Sequence, residues 1–171
     1  MPTQPHDAVA DFVWKYAPVG ILLDTNILLD YVIGRYDPGR IERFKRTNTF
    51  TAKDYKFLAE FLSHFRRVVA TPHVLTEVSN LVGHLTDPHK TACLESFAAE
   101  IARFDEHTQP ARTIVATPAF KRLGITDAAL GLIARRRFLV LTDDLVLYAH
   151  LLENGVDAIN FNHIRLLGWT A

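Results

Sequence analysis

Residues 20–26, Gly-Ile-Leu-Leu-Asp-Thr-Asn, and residues 138–144, Phe-Leu-Val-Leu-Thr-Asp-Asp, decide the fold. Each is a short apolar run that ends on an acidic residue and hands over to a segment of helical period. A run without polar alternation reads as a strand buried on both faces, which is the habit of parallel sheets covered by helices. Residues Arg67 to Ala70 and Asp157 to Asn160 are two further strand candidates. Strands alternating with helices predict an α/β fold, with a central parallel sheet in a three-layer α/β/α arrangement.

Working outward, Ile27 to Ile33 reads as a short helix stopped by Gly34. Behind Thr71, Pro72 suits the first helical position, and Val74, Leu75, Val78, Leu81, Val82 and Leu85 repeat as one apolar face. His89 to Phe104 continues as helix, and Pro110, Pro118 and Gly124 break the segment that follows. Thr126 is placed to cap a helix from Asp127 to Arg137, and Leu145 to Glu153 forms another, closed by Asn154 and Gly155. Two regions fall outside this rhythm. They are an N-terminal extension, residues 1–18, with a short helix over Asp7 to Tyr16, and a basic helical insert, residues 35–63. Neither reads as a separate domain, and 171 residues suit a single domain spanning 1–171.

Nineteen basic residues balance nineteen acidic ones, so no global positive field carries the chain to nucleic acid. Local patches or bound cations must do so instead. A lone cysteine, Cys93, cannot form an internal disulfide, and the opening MPTQPHDAVADF lacks the charge and apolar run of a secretory signal. The expected location is the cytoplasm, and the apolar stretches are too short for a membrane span of ~20 residues.

The acidic residues carry the chemistry. Asp24 ends the first run, Glu77 sits within the TPHVLTEVSNL helix, Asp127 opens GITDAALGLI, and Asp143 and Asp144 close the FLVLTDD run. Ligands of open parallel sheets bind outside the carboxyl ends of the strands, so Asp24 and the Asp143–Asp144 pair are expected at one edge. Glu77 borders the apolar face of its helix and is expected to be partly buried over the same edge. Clustered carboxylates raise one another's pKa and call for protons or a cation, and hard oxygen ligands favour Mg²⁺ or Mn²⁺. Two such ions ~4 Å apart serve phosphodiester hydrolysis without a histidine base or a serine nucleophile. Each acid also has a plainer reading. Asp24 and Asp143 are placed to cap helices, and Asp127 to complement a helix terminus. The functional case therefore rests on the set.

That set resembles the PIN-domain family. The resemblance is carried by Asp24-Thr25-Asn26 after the first strand, Glu77 in the helix after the second, Asp127 in GITDAAL and Thr142-Asp143-Asp144 after a later strand, in the family's order. It implies a PIN-like fold and a Mg²⁺- or Mn²⁺-dependent endoribonuclease acting on single-stranded RNA, leaving 3′-hydroxyl and 5′-phosphate ends. By the same resemblance Asp24, Glu77 and Asp127 surround the metals, Asp144 completes the site, and Asn26 and Thr142 orient carboxylates and water from behind. The extra acid, Asp143, leaves open which of the pair is the direct ligand. A toxin with an antitoxin protein as partner, a stand-alone RNA-processing nuclease and a homodimer are all compatible with the family. The alternative is a catalytically inactive PIN fold that binds RNA or protein.

Other features are weaker. Arg40, Arg43, Lys45 and Arg46, with Phe44 and Phe50 among them, read either as a positive loop for RNA phosphates or as a solvated turn. His89 and Cys93 have a ligand spacing, but no second pair completes a zinc site. A haloacid-dehalogenase-like phosphatase needs a second Asp where Asn26 stands, and a phosphoacceptor receiver domain has no use for Glu77.

Overall fold

The computed structural model describes residues 5–167; residues 1–4 of the N-terminal extension and residues 168–171 lie outside the described residues. Five strands form one parallel sheet in the order β3-β2-β1-β4-β5. They are β1 (Ile21–Leu23), β2 (Val68–Ala70), β3 (Asp105–Glu106), β4 (Leu139–Thr142) and β5 (Ala158–Asn160). Helices flank the sheet in a three-layer α/β/α architecture. Every residue of β1 and β4 is buried, as their unbroken apolar runs require. Leu22 pairs with Val69 on one side and Val140 on the other, which fixes β1 at the centre.

Nine helices among the described residues connect and cover these strands. They are α1 (Pro5–Tyr16), α2 (Thr25–Tyr36), α3 (Ala52–Ser63), α4 (Pro72–Val82), α5 (His89–Ile101), α6 (Ala111–Val115), α7 (Pro118–Ala134), α8 (Leu145–Glu153) and α9 (Phe161–Leu167). The extension is docked through α1, where Tyr16 and Lys15 both donate to Asp157 just before β5. None of the helices is long and apolar enough to cross a membrane.

Two departures from the sequence reading have clear causes. Gly34 does not stop α2, which runs on to Tyr36. A Cβ there would lie 2.2 Å from the Tyr55 ring, so glycine is needed because α3 packs directly on α2. The basic insert is also no solvated excursion. A 3-10 turn over Pro38–Arg43 and helix α3 place Ile41, Phe44, Phe50, Leu58 and Phe61 in the main core. Thr51 and Asp54 cap α3 reciprocally, satisfying its first amides.

The sheet order reverses between β1 and β4. A chain that leaves β1 in one direction and returns on the other side through β4 opens a crevice at their carboxyl ends, the usual ligand site of such sheets.

Candidate active site

Asp24 follows β1 and stands at that crevice. Its amide donates to Leu141 O of β4 at 3.1 Å, continuing the ladder by one step. Its side chain caps α2: Oδ1 accepts the Ile27 amide at 2.9 Å, while Oδ2 accepts the Thr142 hydroxyl. The plain capping role is thus real, yet the carboxylate is only 4% exposed. Burial first, then the negative charges of Asp143 and Asp127, push its pKa up to about 7.

Thr142 links two acids. While donating to Asp24, its oxygen accepts the Asp144 amide at 3.0 Å. Asp143 is held from α2, where Asn26 Nδ2 donates to its Oδ1 at 3.2 Å. Burial outweighs that bond and keeps the Asp143 carboxyl above the ordinary range. Asp144, not Asp143, caps α8, with Oδ1 accepting from Val146 N and Leu147 N. The two neighbours divide the edge between them: Asp143 bears on Asp24, and Asp144 bears on Asp127.

Glu77 reaches the edge from α4. It is exposed, which corrects the partly buried position inferred from the apolar face of its helix. It is nevertheless well held, because Oε2 accepts the Thr25 hydroxyl at 2.7 Å and Oε1 accepts the Thr126 hydroxyl at 2.6 Å. Thr126 therefore spends its side chain on Glu77 and does not cap a helix. The break that sets it there is one residue pair earlier, at Gly124, whose φ of 84° interrupts α7. A Cβ at Gly124 would meet nothing within 4 Å, so the backbone conformation alone calls for glycine. Asp127 follows Thr126 and is half-buried. Burial, with repulsion from Asp144 and Glu77, pushes its pKa up to about 6.

The structure thus brings Asp24, Glu77, Asp127, Asp143 and Asp144 to one edge, with Thr142 bonded to Asp24 and Asn26 to Asp143. Glu77, Asp144 and Asn26 are exposed, so the edge is open to solvent. Among the described residues no three His, Cys, Asp or Glu side chains are grouped tightly enough to hold an ion. The donor chemistry still fits a hard cation: all donors are carboxylates, and two are held near neutrality by burial and by one another. Mg²⁺ commonly keeps several waters and takes only one or two carboxylates, so a complete protein cage is not required.

Other parts of the edge escaped the sequence reading. Asn160 ends β5 in register with Thr142, and Asn162 Nδ2 donates to Asp143 O at 3.2 Å. Arg165 donates to Asn162 at 2.9 Å and to Asp54 at 3.1 Å, tying the capped start of α3 to the acidic edge. Its charge draws down the pKa of Asp143. Asp30, inside α2, is fully buried with neither oxygen hydrogen-bonded, and its carboxyl is pushed up to about 7 by burial and then by Asp54. Position in the sequence could have found Asn160, since it ends the last strand as Thr142 ends β4. Asp30 was visible only as a lone acid in an apolar run.

The basic residues of the insert separate into two groups. Arg40 is engaged, with Nη2 2.9 Å from His89 Nε2 and Nε 3.7 Å from Asp37. The other ring nitrogen of His89 lies 2.9 Å from the Tyr36 hydroxyl, so both ring nitrogens are engaged by neighbouring side chains. Arg43, Lys45 and Arg46 are exposed, whereas Phe44 and Phe50 between and beside them are buried.

No protein-family model and no curated protein matches this chain.

Proposed function

We propose that this chain is a Mg²⁺- or Mn²⁺-dependent endoribonuclease that hydrolyses phosphodiester bonds in single-stranded RNA. The observation that carries the reading is the set of acids at the crevice between β1 and β4, of which Asp24, Glu77, Asp143 and Asp144 are each fixed by a hydroxyl, an amide or a backbone N–H, while Asp127 stands half-buried and repelled by Asp144 and Glu77. Asp24, Glu77, Asp127, Asp143 and Asp144 would hold the cations. Bound there, a divalent cation supplies charge neutralisation at the scissile phosphate and a water acidic enough to attack it near neutral pH. Thr142 fixes the Asp24 carboxylate toward the crevice, and Asn26 does the same for Asp143. Thr25 and Thr126 restrict Glu77 to one rotamer, so little ordering is left for the moment of binding. Arg43, Lys45 and Arg46 meet the RNA backbone outside the acidic zone. A cytoplasmic toxin with an antitoxin protein as partner and a stand-alone cytoplasmic RNA-processing nuclease, either of them a homodimer, are the two settings compatible with this reading.

The test is cleavage of mixed single-stranded RNAs by the full chain with Mn²⁺, Mg²⁺ or EDTA, beside Asp24→Asn. Cleavage with either metal, absent in EDTA and in the variant, is the expected result. Undiminished cleavage by metal-stripped protein overturns the reading. RNA binding without cleavage under any metal moves it to an inactive binding module.

A further inference from the structure

The sheet has a second feature at the opposite edge. The residues that lead into β1, β2, β4 and β5, together with His107 just after β3, line a cavity of about 680 Å³, within the ~300–1,000 Å³ common for small-molecule sites. Four of its cations are Lys15, Arg67, Arg136 and Arg137. Lys15 is neutralised by Asp157 at 2.7 Å, and Arg67 by Asp105 at 2.9 Å. Arg136 and Arg137 have no carboxylate partner among the described residues, which leaves the cavity with unspent positive charge.

Arg136 is also the one non-glycine residue with positive φ, 58°, among the described residues. Glycine or asparagine is the ordinary occupant of such a position after a helix. An arginine there points to a use for the side chain. Arg137 stands 5.2 Å over the Phe138 ring, and the His107 ring lies 4.9 Å from the same ring. Tyr16 adds a third aromatic residue to the lining.

We propose that this cavity binds a small organic phosphate bearing an aromatic base, a mononucleotide in chemical class. The phosphate meets Arg136 and Arg137, and the base lies against the half-buried His107 ring, over a floor to which the buried rings of Phe138 and Tyr16 contribute. Guanidinium groups bind phosphate through paired charge-assisted hydrogen bonds, and planar rings accept stacking. Strands of three or four residues separate this cavity from the acidic edge by about 10 Å, so the site is independent of the nuclease reading.

The experiment titrates the full chain with AMP, inorganic phosphate and adenosine, reading backbone amide shifts at residues 135–138 and 155–157 beside calorimetric affinity. AMP should saturate and shift these amides, inorganic phosphate should bind more weakly at the same place, and adenosine should be weaker than AMP. The Arg136→Ala/Arg137→Ala pair should weaken AMP about tenfold or more. Arg136→Gly removes the positive-φ mismatch, so it should fold with an unchanged or higher Tm and still lose AMP affinity. Absence of saturable AMP binding overturns the proposal, as does equal affinity in the variants. Shifts caused by a single-stranded oligoribonucleotide but not by AMP or phosphate would also overturn it and mark a nucleic-acid surface instead.

Discussion

Thr142 and Asp24 are joined side chain to side chain across the β4–β1 seam, and the same Thr142 oxygen accepts the amide of Asp144. One hydroxyl thus holds both strand ends of the acidic edge in register. Thr142→Val keeps the shape and removes the hydroxyl, leaving a buried carboxylate oxygen and an amide unpaired. It should cost ~1 to 3 kcal/mol in urea unfolding and weaken Mn²⁺ binding by about 10- to 100-fold. Thr142→Ser should recover most of the Mn²⁺ affinity. Wild-type Mn²⁺ affinity in Thr142→Val would remove Thr142 from the site.

The buried acids reverse the usual effect of pH on carboxylates. Asp24 is raised to about 7 in the fold from ~3.9 in an unfolded chain. Between those values the folded protein holds a proton that the unfolded chain has released, so stability falls as pH rises. It is fully present below ~4 and is lost as pH passes about 7. Asp127 and Asp30 act in the same sense. Metal-free protein should therefore unfold at lower urea at pH 8 than at pH 5.5. Asp24→Asn should recover on the order of 2 kcal/mol of that difference. Saturating Mn²⁺ should flatten the profile, because the cation replaces the protons. A metal-free profile that stays level from pH 5.5 to pH 8 would show that these acids are solvated and ordinary.

Arg43, Lys45 and Arg46 are exposed in a segment whose apolar residues are locked into the core, so they can be removed without loosening the fold. Their triple replacement by Ala should leave the urea midpoint unchanged, weaken single-stranded RNA binding and lower the salt slope by roughly 0.7 per lost phosphate contact. Turnover at saturating RNA should change far less. An unaltered affinity and slope would confine this turn to a structural role. Arg40 is unsuitable for the same experiment, since its guanidinium is committed to His89 and Asp37.

Packing of α3 on α2 can be tested separately. Gly34→Ala would improve helix propensity by about 1 kcal/mol in isolation, but its methyl would meet the Tyr55 ring. The net effect should be a loss of ~1 to 3 kcal/mol from overpacking. Tyr55→Leu in the same chain should make the two changes clearly non-additive in urea unfolding. Simple additivity would separate the two side chains.

The central strands and the acids were legible because burial on both faces leaves an uninterrupted apolar signature, and because strand ends are places where a chain must turn. Runs such as Ile21–Leu23 and Leu139–Thr142 therefore announced themselves within a residue. β3 did not, since it consists of Asp105 and Glu106, a polar pair at the sheet's border held by its neighbour's ladder. Gly34 misled because a glycine that breaks a helix and a glycine that admits another helix look alike in sequence. Thr126 misled for a related reason: a hydroxyl at a helix start ordinarily bonds the backbone, and only tertiary contact shows that Glu77 takes it. Asn162 and Arg165 depend on α9, a short helix with little periodicity to reveal it.

The separation of five acids at one end of short strands from the charges of Arg136 and Arg137, unpaired among the described residues, at the other has an electrostatic consequence for a chain whose formal charges sum to zero. Such a molecule exerts a torque more than a pull. In dilute salt an approaching polyanion would be turned toward the basic end, away from the carboxylates. At physiological ionic strength the field decays over about 8 Å, less than the roughly 10 Å length of a three-residue strand. Salt then lets each end meet its own partners as though the other were absent.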